Sequence, residues 1–368
     1  MVVENSKTPT SFVPRPTSSA ADVNDRPIQE ITAILVSWRD VEQVEEAIEA
    51  LVRARDRVPA GGPRVSLVVV DNGSGLAEHG RLQTFCPDAV LIANSVNRGL
   101  AAAANQGARA APGDVLLFLN PDTRAEGEPF SEIARALAGR PDAVAVAPRL
   151  VDFDGESHGS DDLAPPDRED QRTFQLRRLP SLAADARQLL LFDHLFPNNA
   201  GRRRERYAEA DRERSFEIEQ AAAAALAVRR DVFERIGGFD ERFFPAWFED
   251  VDLCERLRAI GAILYWPGAR FRHRGRVSSE ALGYARFLPI YYTNALRYRV
   301  RYPPPARATY RALLAVGMVL RLFALPFRRR MPRPRWDAAR AYLRTFGVAL
   351  GRTPSDCRPS TVDYRLPP

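Results

Sequence analysis

Side chains able to bind a ligand follow three apolar runs in the first third of the sequence. The clusters are Ser37, Trp38 and Arg39 after ITAILV, Asp71 to Ser74 after VSLVVV, and Asn120 to Asp122 after DVLLFL. If the three runs are parallel strands, their carboxyl ends meet at one edge of a sheet, where open α/β sheets bind ligands. The spacing therefore predicts a polar pocket built from all three clusters.

Each carboxylate of these clusters has a structural and a chemical interpretation. Asp71 stands in DNG, which favours a turn, but its carboxylate could also accept the N3–H of a uracil or thymine. Asp122 stands in NPDT, where it could cap a helix. With two phosphate oxygens it could instead hold Mg²⁺ or Mn²⁺, which favour oxygen ligands. The residues alone leave both alternatives open.

A separate, acidic cluster comes much later in the sequence, just ahead of a predicted helix. It contains Glu249, Asp250 and Asp252, embedded in FDERFFPAWFEDVDL. Acidic residues in a first turn stabilise the helix dipole. The aromatic neighbours would also desolvate the carboxylates and raise their pKa toward that of a general base. His273 follows a later short strand; an isolated histidine is more often structural than a ligand.

The elements that position these residues alternate along the chain. Strands are predicted at 31–36, 66–70, 89–93 and 114–119, with helices at 40–54 and 99–111 between them. Continuous apolar strands alternating with helices indicate a parallel sheet covered on both faces. The motifs GxGxxG after a strand, GxxxxGK[ST] and GxSxG do not occur, which disfavours dinucleotide, P-loop and hydrolase sites.

Two further segments differ in composition. Residues 151–217 are first acidic and then arginine-rich, and form a predicted excursion with a helix near 181–195. Residues 1–28 lack periodicity and an apolar signal segment, so we expect a disordered lead-in and a chain that is not secreted.

The C-terminal third is strongly basic. Of the 53 basic residues only Lys7 is lysine, and 19 arginines lie between Arg270 and Arg352 against two acidic residues. This segment carries +17, so the remainder of a chain with net charge +6 carries −11. The asymmetry indicates an anionic partner, either a membrane surface or a nucleic acid. Residues 312–327 are apolar except Arg321 and fit a helix lying on a membrane or packed in the core.

Taken in order, these segments resemble glycosyltransferase family 2, in its bacterial rhamnosyltransferase-like branch. The matching pieces, between about residues 31 and 275, are ITAILVSWRD, VVVDNGSG, NSVNRGLAAAANQGARAA, DVLLFLNPDT, LAVRRDVFERIGGFDERFFPAWFEDVDLCERLRAIG and ILYWPGARFRHRG. The resemblance implies a GT-A-type, Rossmann-like α/β fold: a mostly parallel sheet flanked by helices, with a helical C-terminal extension. It implies a catalytic domain over 29–280 that includes the excursion, a basic, helical, membrane-associating region over 281–355, and a tail over 356–368.

The resemblance also implies roles for single residues. The donor nucleotide is expected to contact Ser37, Trp38, Arg39, Asp71, Asn97, Arg98, Gly99, Asn105, Asn120 and Asp122. A divalent ion, Mg²⁺ or Mn²⁺, is expected at Asp122 and His273. Asp250 is expected to be the catalytic base, with Glu249 orienting the acceptor or that base. Asn120 replaces the first aspartate of the family's DxD motif, and Ala222 and Ala223 replace a Ser-Gly or Thr-Gly pair.

The function that follows is inverting, metal-dependent transfer of a sugar from a nucleotide diphosphate donor. The resemblance favours dTDP-L-rhamnose as donor and a cell-envelope polysaccharide or lipid-linked glycan as acceptor. The alternative is an inactive GT-A scaffold that binds a nucleotide sugar or glycan. The basic region is expected to bind an anionic membrane surface and not nucleic acid. We therefore expect a cytoplasmic enzyme peripherally associated with the inner face of the cell membrane.

Overall fold

The computed structural model describes residues 27–39, 41–151, 153, 175–274, 282–327 and 334–357. Most of the predicted disordered lead-in and tail, and part of the excursion, lie outside these residues. Among the described residues, nine strands form one mixed sheet and two short strands form a second. The strands are β1 (Glu30–Ser37), β2 (Arg64–Asn72), β3 (Val90–Asn94), β4 (Val115–Leu119), β5 (Thr123–Glu126), β6 (Ala143–Val151), β7 (Leu176–Arg177), β8 (Phe216–Ile218), β9 (Gln220–Ala221), β10 (Ala225–Arg229) and β11 (Ala262–His273).

The order of the main sheet is β3-β2-β1-β4-β10-β6-β11-β5, with β8 beside β11. Strands β1 to β4 are mutually parallel, as the apolar runs predict. The chain moves outward from β1 through β2 to β3 and then returns to the other side of β1. This reversal creates the crevice in which open α/β sheets bind ligands. Strand β10 runs antiparallel to both β4 and β6, a pairing that the sequence pattern did not predict.

Helices cover both faces of the sheet. They are α1 (Val41–Arg55), α2 (Leu76–Phe85), α3 (Leu100–Ala110), α4 (Pro129–Gly139), α5 (Leu182–Leu189), α6 (Phe192–Leu195), α7 (Ala200–Glu205), α8 (Arg230–Arg235), α9 (Glu249–Arg258), α10 (Tyr284–Tyr298), α11 (Pro304–Ala324) and α12 (Arg335–Ala349). One face packs on α1 and α4, and the other on α3, α8 and α9. Alternate residues of β1 serve the two cores, Leu35 one and Ile34 the other, because side chains alternate along a strand.

A third core joins four helices, α5, α10, α11 and α12, which we call the helical unit. The sequence predicted one helix near 181–195 inside the excursion. The structure ends α5 at Leu189 and begins α6 at Phe192, with Leu191 between them at φ 64°. Helix α5 packs on α11, and a buried ion pair joins Asp185 to Arg299, whose guanidinium also stacks on Tyr310 at 3.8 Å. Part of the excursion therefore belongs with the C-terminal helices.

The apolar segment around 312–327 differs from its sequence-based description in two ways. The helical segment runs from Pro304 to Phe327, 24 residues, and is long and apolar enough to cross a membrane by length and composition, although 28% of its most apolar window is buried inside the protein. Arg321, which interrupts the apolar run in the sequence, is tied to α5. Its guanidinium donates hydrogen bonds to the carbonyls of Gln188 and Leu189, at 2.9 and 2.7 Å, in the last turn of that helix.

Candidate active site

The ends of β1 and β2 lie side by side, with Ser37 paired to Asp71 in register. The backbone N–H of Arg39 donates to the hydroxyl of Ser74 at 2.9 Å, which ties the two loops together. The Arg39 guanidinium lies 5.5 Å from the ring of Trp38. Three of the predicted donor-binding residues, Ser37, Trp38 and Arg39, therefore meet the Asp71 loop at one sheet edge.

The structural interpretation of Asp71 accounts for one of its two carboxylate oxygens. Oδ1 accepts the backbone N–H of Ser74 at 2.9 Å, as a turn aspartate does. Oδ2 lies 3.7 Å from Nδ1 of His79. The carboxylate is almost fully buried at the strand end. A turn role and a base-binding role are therefore compatible at this residue, and the second stays a prediction.

Asn72 was not singled out from the sequence, yet its amide organises the adjacent loop. Its nitrogen donates to the side chain of Asn97 at 3.1 Å, and its oxygen accepts the backbone N–H of Arg98 at 3.0 Å. The oxygen also accepts from Asn94 at 3.1 Å. A buried amide with these partners fixes the NRG turn. The sequence signal was its place beside Asp71, which we interpreted only as part of a turn.

The NRGL segment lies under the aromatic loop 243–248. A Cβ at Gly99 would come within 2.8 Å of the Phe244 ring, and φ is 86° there, so only glycine fits without strain. The N–H of Leu100 donates to the carbonyl of Pro245 at 2.7 Å. Arg98 is exposed beside this contact.

Asn105 is placed differently from the other predicted donor-binding residues. Its amide bonds both the N–H and the carbonyl of Phe239 at 2.9 Å and also donates to Glu241 at 3.0 Å. The side chain therefore hydrogen-bonds α3 to the GGFDE loop, residues 237–241. Its effect on the donor pocket, inferred from the resemblance, stays a prediction.

Asp122 and His273, far apart in the sequence, are brought together. Strand β5 pairs with β11 so that Thr123 faces His273, and Nε2 of His273 lies 3.3 Å from Oδ1 of Asp122. Both side chains are more than nine-tenths buried. Among the described residues, no group of three or more His, Cys, Asp or Glu could form a closed metal site. From these four residue types, Asp122 and His273 are therefore the pair that could hold an ion here.

The acidic cluster begins α9 after a distorted turn. Trp247 and Phe248 both have φ 74°, a left-handed conformation that costs roughly 1–2 kcal/mol for each such residue. The helical unit holds this turn. Phe248 packs on Tyr291 at 5.1 Å, and Asn294 donates to the carbonyl of Ala246 at 2.7 Å. The first turn of α9 therefore depends on its contacts with α10.

Burial raises the pKa of both carboxyls at the start of α9. For Glu249 the shift is large because burial is joined by the negative charge of Asp250. For Asp250 burial raises the pKa, and hydrogen bonds from the backbone of Val251 and Ala223 oppose the shift. The charge of Arg177 also lowers the pKa of Asp250. Arg177, on β7, is a site residue that the sequence did not distinguish from the many arginines around it.

Asp252, the third acidic residue, faces away from this chemistry. Its carboxylate pairs with Arg256 at 2.6 Å and with Arg301 of the C-terminal segment. Arg256 also donates to the carbonyls of Ile236 and Gly238. Asp252 therefore joins α9 to its surroundings, and only Glu249 and Asp250 remain for a catalytic role.

Comparison with known proteins agrees with this architecture. The fold, a mostly parallel sheet flanked by helices with further helices at the C-terminus, is that of a GT-A glycosyltransferase. The chain belongs to glycosyl transferase family 2, whose family model matches residues 32–236. The predicted resemblance and fold class are confirmed, and the protein is a glycosyltransferase of this family.

One sequence relative covers most of the chain. It is the N-acetylglucosaminyl-diphospho-decaprenol L-rhamnosyltransferase of Mycobacterium tuberculosis, 26% identical over 306 residues, which are 78% of this chain and 91% of the relative. Solved structures share the fold at low identity. The mannosyltransferase PcManGT from Pyrobaculum calidifontis, in complex with GDP-Man and Mn²⁺, aligns over 93% of this chain and 90% of its own with a TM-score of 0.50 at 16% identity. GalNAc-T7 with UDP, GalNAc and Mn²⁺ gives 0.53 at 13% identity over 80% of this chain, which spans about half (51%) of that protein.

Proposed function

We propose that this protein transfers L-rhamnose, with inversion, from dTDP-L-rhamnose to a saccharide carried on a polyprenyl diphosphate of the cell envelope. The observation that supports it most is that Asp250, a carboxyl of raised pKa, follows Glu249, which lines one cavity with Asn120, two residues before the Asp122–His273 pair. The identity of the donor and acceptor rests on the rhamnosyltransferase relative, which aligns over 78% of this chain and 91% of its own length.

The proposed chemistry is a single displacement. Asp250, ionised, removes the proton from an acceptor hydroxyl, and the resulting oxygen attacks the anomeric carbon on the face opposite the diphosphate. Asp71 binds the base of the nucleotide, and Trp38 and Arg39 border it. The sugar carbon carries positive character in the transition state, as in glycoside hydrolysis. Burial of Asp250 keeps its carboxylate poorly solvated and therefore a stronger base than an exposed aspartate.

The pair Asp122 and His273 fits a divalent ion. Carboxylate oxygen is a ligand that Mg²⁺ and Mn²⁺ favour. Oδ1 of Asp122 and Nε2 of His273 lie 3.3 Å apart and both side chains are buried, so the two side chains would hold the ion together. Such an ion would offset the charge that develops on the leaving nucleotide.

The proposal is tested by transfer from dTDP-L-rhamnose to polyprenyl-diphospho-N-acetylglucosamine, scored as rhamnosylated lipid and released dTDP. We expect transfer with dTDP-L-rhamnose and little with GDP-linked sugars. Asp71→Ala should weaken dTDP binding by about 1.5–3 kcal/mol, the range for hydrogen bonds involving charged groups, as measured by calorimetry. Tight binding of the donor without release of dTDP in the presence of acceptor would instead indicate the inactive scaffold.

We further propose that the enzyme lies on the anionic cytoplasmic face of the membrane, where a lipid-linked acceptor is available. Several large apolar side chains of α6, α11 and α12 and the turns beside them are exposed, and five of them define the membrane-facing surface: Leu195, Phe196, Phe323, Phe327 and Trp336, at 69, 56, 72, 84 and 86% exposure. The elements that carry these side chains adjoin one another, because α5 contacts α6 and packs on α11, and α11 packs on α12. Exposed apolar patches mark sites of membrane or protein contact. Arginines follow in the sequence at 328, 329, 330, 333 and 335, the first four outside the described residues.

The membrane proposal predicts loss of vesicle binding in the triple variant Phe323→Ser, Phe327→Ser, Trp336→Ser. Interfacial binding scales with inserted apolar area, so flotation with anionic liposomes should fall at least ~10-fold at low salt. High salt should weaken the wild type as well, because each arginine near the leaflet contributes ~1 kcal/mol.

The matched control replaces exposed apolar residues elsewhere, Ile260→Ser and Val300→Ser, and should float as the wild type does. Truncation within the helical unit is a poorer test, because Tyr310 and Tyr342 share a core with Phe248 of the catalytic turn. The proposal is overturned if the triple variant floats normally or if the wild type fails to bind anionic vesicles at low salt.

A further inference from the structure

A small cavity lies beneath the start of α9, between α3 and β4. Its walls are mostly apolar and include Leu100, Ala101, Ala223 and Phe239. Its polar lining comes from Asn120 and Glu249. The cavity volume is about 20 Å³. Since ~10–15 Å³ is enough for one water molecule, the cavity volume matches one hydroxyl-sized group.

The carboxyl of Glu249 presents an unsatisfied atom in this setting. The side chain is 4% exposed, and Oε2 has no hydrogen-bond partner in the described part of the chain. Buried polar atoms in native proteins are nearly always hydrogen-bonded, so an exception at a functional site calls for a ligand. Burial and the charge of Asp250 raise the pKa of Glu249, which favours the neutral acid. A neutral carboxyl both donates and accepts a hydrogen bond, as a hydroxyl does.

The position of the cavity identifies which part of the substrate reaches it. Glu249 directly precedes Asp250, the proposed base that activates the acceptor. Asn120 lies two residues before Asp122, the proposed ligand of an ion at the diphosphate. A molecule that reaches both polar walls lies between the attacking and the leaving groups, which is where the transferred sugar must be.

We propose that this cavity is a specificity subsite that receives one ring hydroxyl of the transferred sugar, bonded by Glu249 and faced by Asn120. This inference rests on the proposed function. The apolar walls reject a second polar group, and the size rejects a larger substituent. A sugar with hydrogen or a methyl group at this position leaves Oε2 of Glu249 unpaired, so the subsite selects among hexoses by the presence and orientation of one hydroxyl.

The test is a double-mutant-type cycle, in which the enzyme change is Glu249→Ala and the substrate change is the 2-, 3- or 4-deoxy analogue of dTDP-L-rhamnose. We expect the wild type to lose roughly 10- to 100-fold in kcat/KM with one analogue, the loss caused by leaving a buried partner unpaired. Glu249→Ala should lose a similar factor with dTDP-L-rhamnose and nothing further with that one analogue. The effects of the other two analogues should multiply with that of the substitution.

Glu249→Gln supplies the conservative rescue, since an amide also donates and accepts, and Glu234→Ala removes an exposed carboxylate as control. If the loss in kcat/KM caused by Glu249→Ala multiplies with the loss caused by each of the three analogues, Glu249 contacts no ring hydroxyl and the subsite is refuted. If Glu249→Ala does not fold, Glu249→Gln decides: it should restore selectivity against the one analogue, and equal acceptance of all three refutes the subsite.

The outcome is separable from that of the proposed function. If dTDP-L-rhamnose is not a donor, a panel of nucleotide sugars identifies the one that is turned over, and the cycle is repeated with its deoxy analogues. Failure with rhamnose overturns the donor assignment alone. If the loss caused by Glu249→Ala multiplies with the loss caused by every deoxy analogue of the true donor, the subsite alone is overturned.

Discussion

Asp250→Asn should lose ~10²-fold or more in kcat while it retains donor affinity. A positioned general base contributes ~10²–10⁴ in rate, and the amide is nearly isosteric but cannot take the proton. The hydrogen bond from the N–H of Val251 to Oδ1, at 2.8 Å, can also be accepted by an asparagine oxygen, so the start of α9 should persist. Steady-state kinetics with saturating donor, together with calorimetry for dTDP, separates the two quantities.

The pH profile provides an independent readout of the same residue. Burial raises the pKa of Asp250 above the ordinary value of 3.8, and the base must be ionised to act. Activity of the wild type should therefore fall as pH drops through this raised pKa, an acid limb displaced upward from that of an exposed aspartate. Asp250→Asn should lose that limb along with its activity. If donor affinity falls while turnover at saturation is preserved, Asp250 binds substrate and is not the base.

Asp252→Asn is the matched control, two residues away in the same helix turn. Asp252 is buried and pairs with the partly exposed Arg256 and Arg301, and losing hydrogen bonds to charged groups costs about 1.5–3 kcal/mol. This variant should lower Tm but keep kcat at temperatures where it stays folded. If Asp250→Asn loses rate and Asp252→Asn loses stability, Asp250 has the catalytic role and Asp252 the structural role.

Local sequence patterns predicted the strands and the site residues that follow them. Apolar runs locate β1, β2 and β4 because each is largely buried on both faces, whereas β3 at the sheet edge is partly exposed. Strand ends place Asp71 and Asp122 at one edge. The aromatic setting of Glu249 and Asp250 correctly indicated burial and a raised pKa. In each case the information lies within a few residues.

Long-range pairings were not predictable in the same way. The antiparallel insertion of β10 between β4 and β6 depends on partners more than 70 residues away. Arg321 looked like a polar interruption of an apolar segment, but the carbonyls that it satisfies belong to α5, over 130 residues earlier. The proximity of Arg177 to Asp250 likewise follows from the pairing of β7 with β9 and left no local signal.

The helical unit links the two halves of the proposed function. Its outer surface carries the exposed aromatic residues Phe323, Phe327 and Trp336, while its inner surface holds the left-handed turn at Trp247 and Phe248. Tyr291 packs against Phe248 from α10, and Arg299 of the adjoining turn bonds Asp185. The proposed membrane contact and the proposed base are therefore carried by one packed set of helices, which would keep the active site at a fixed height above the bilayer.

Asp122→Ala should abolish turnover that depends on Mg²⁺ or Mn²⁺ while leaving the fold intact. Asp122 supplies the carboxylate of the buried pair with His273, and among the described residues no third His, Cys, Asp or Glu joins the pair to compensate. His273→Ala should be less severe, because the carboxylate is the charged ligand. Metal titrations of activity, and Mn²⁺ binding followed by electron paramagnetic resonance with and without dTDP, measure both effects. Asp88→Ala, at an exposed carboxylate, should match the wild type in each measurement. Full activity of Asp122→Ala, or of the wild type in EDTA, would show that this pair is structural and that the leaving diphosphate is neutralised by other groups.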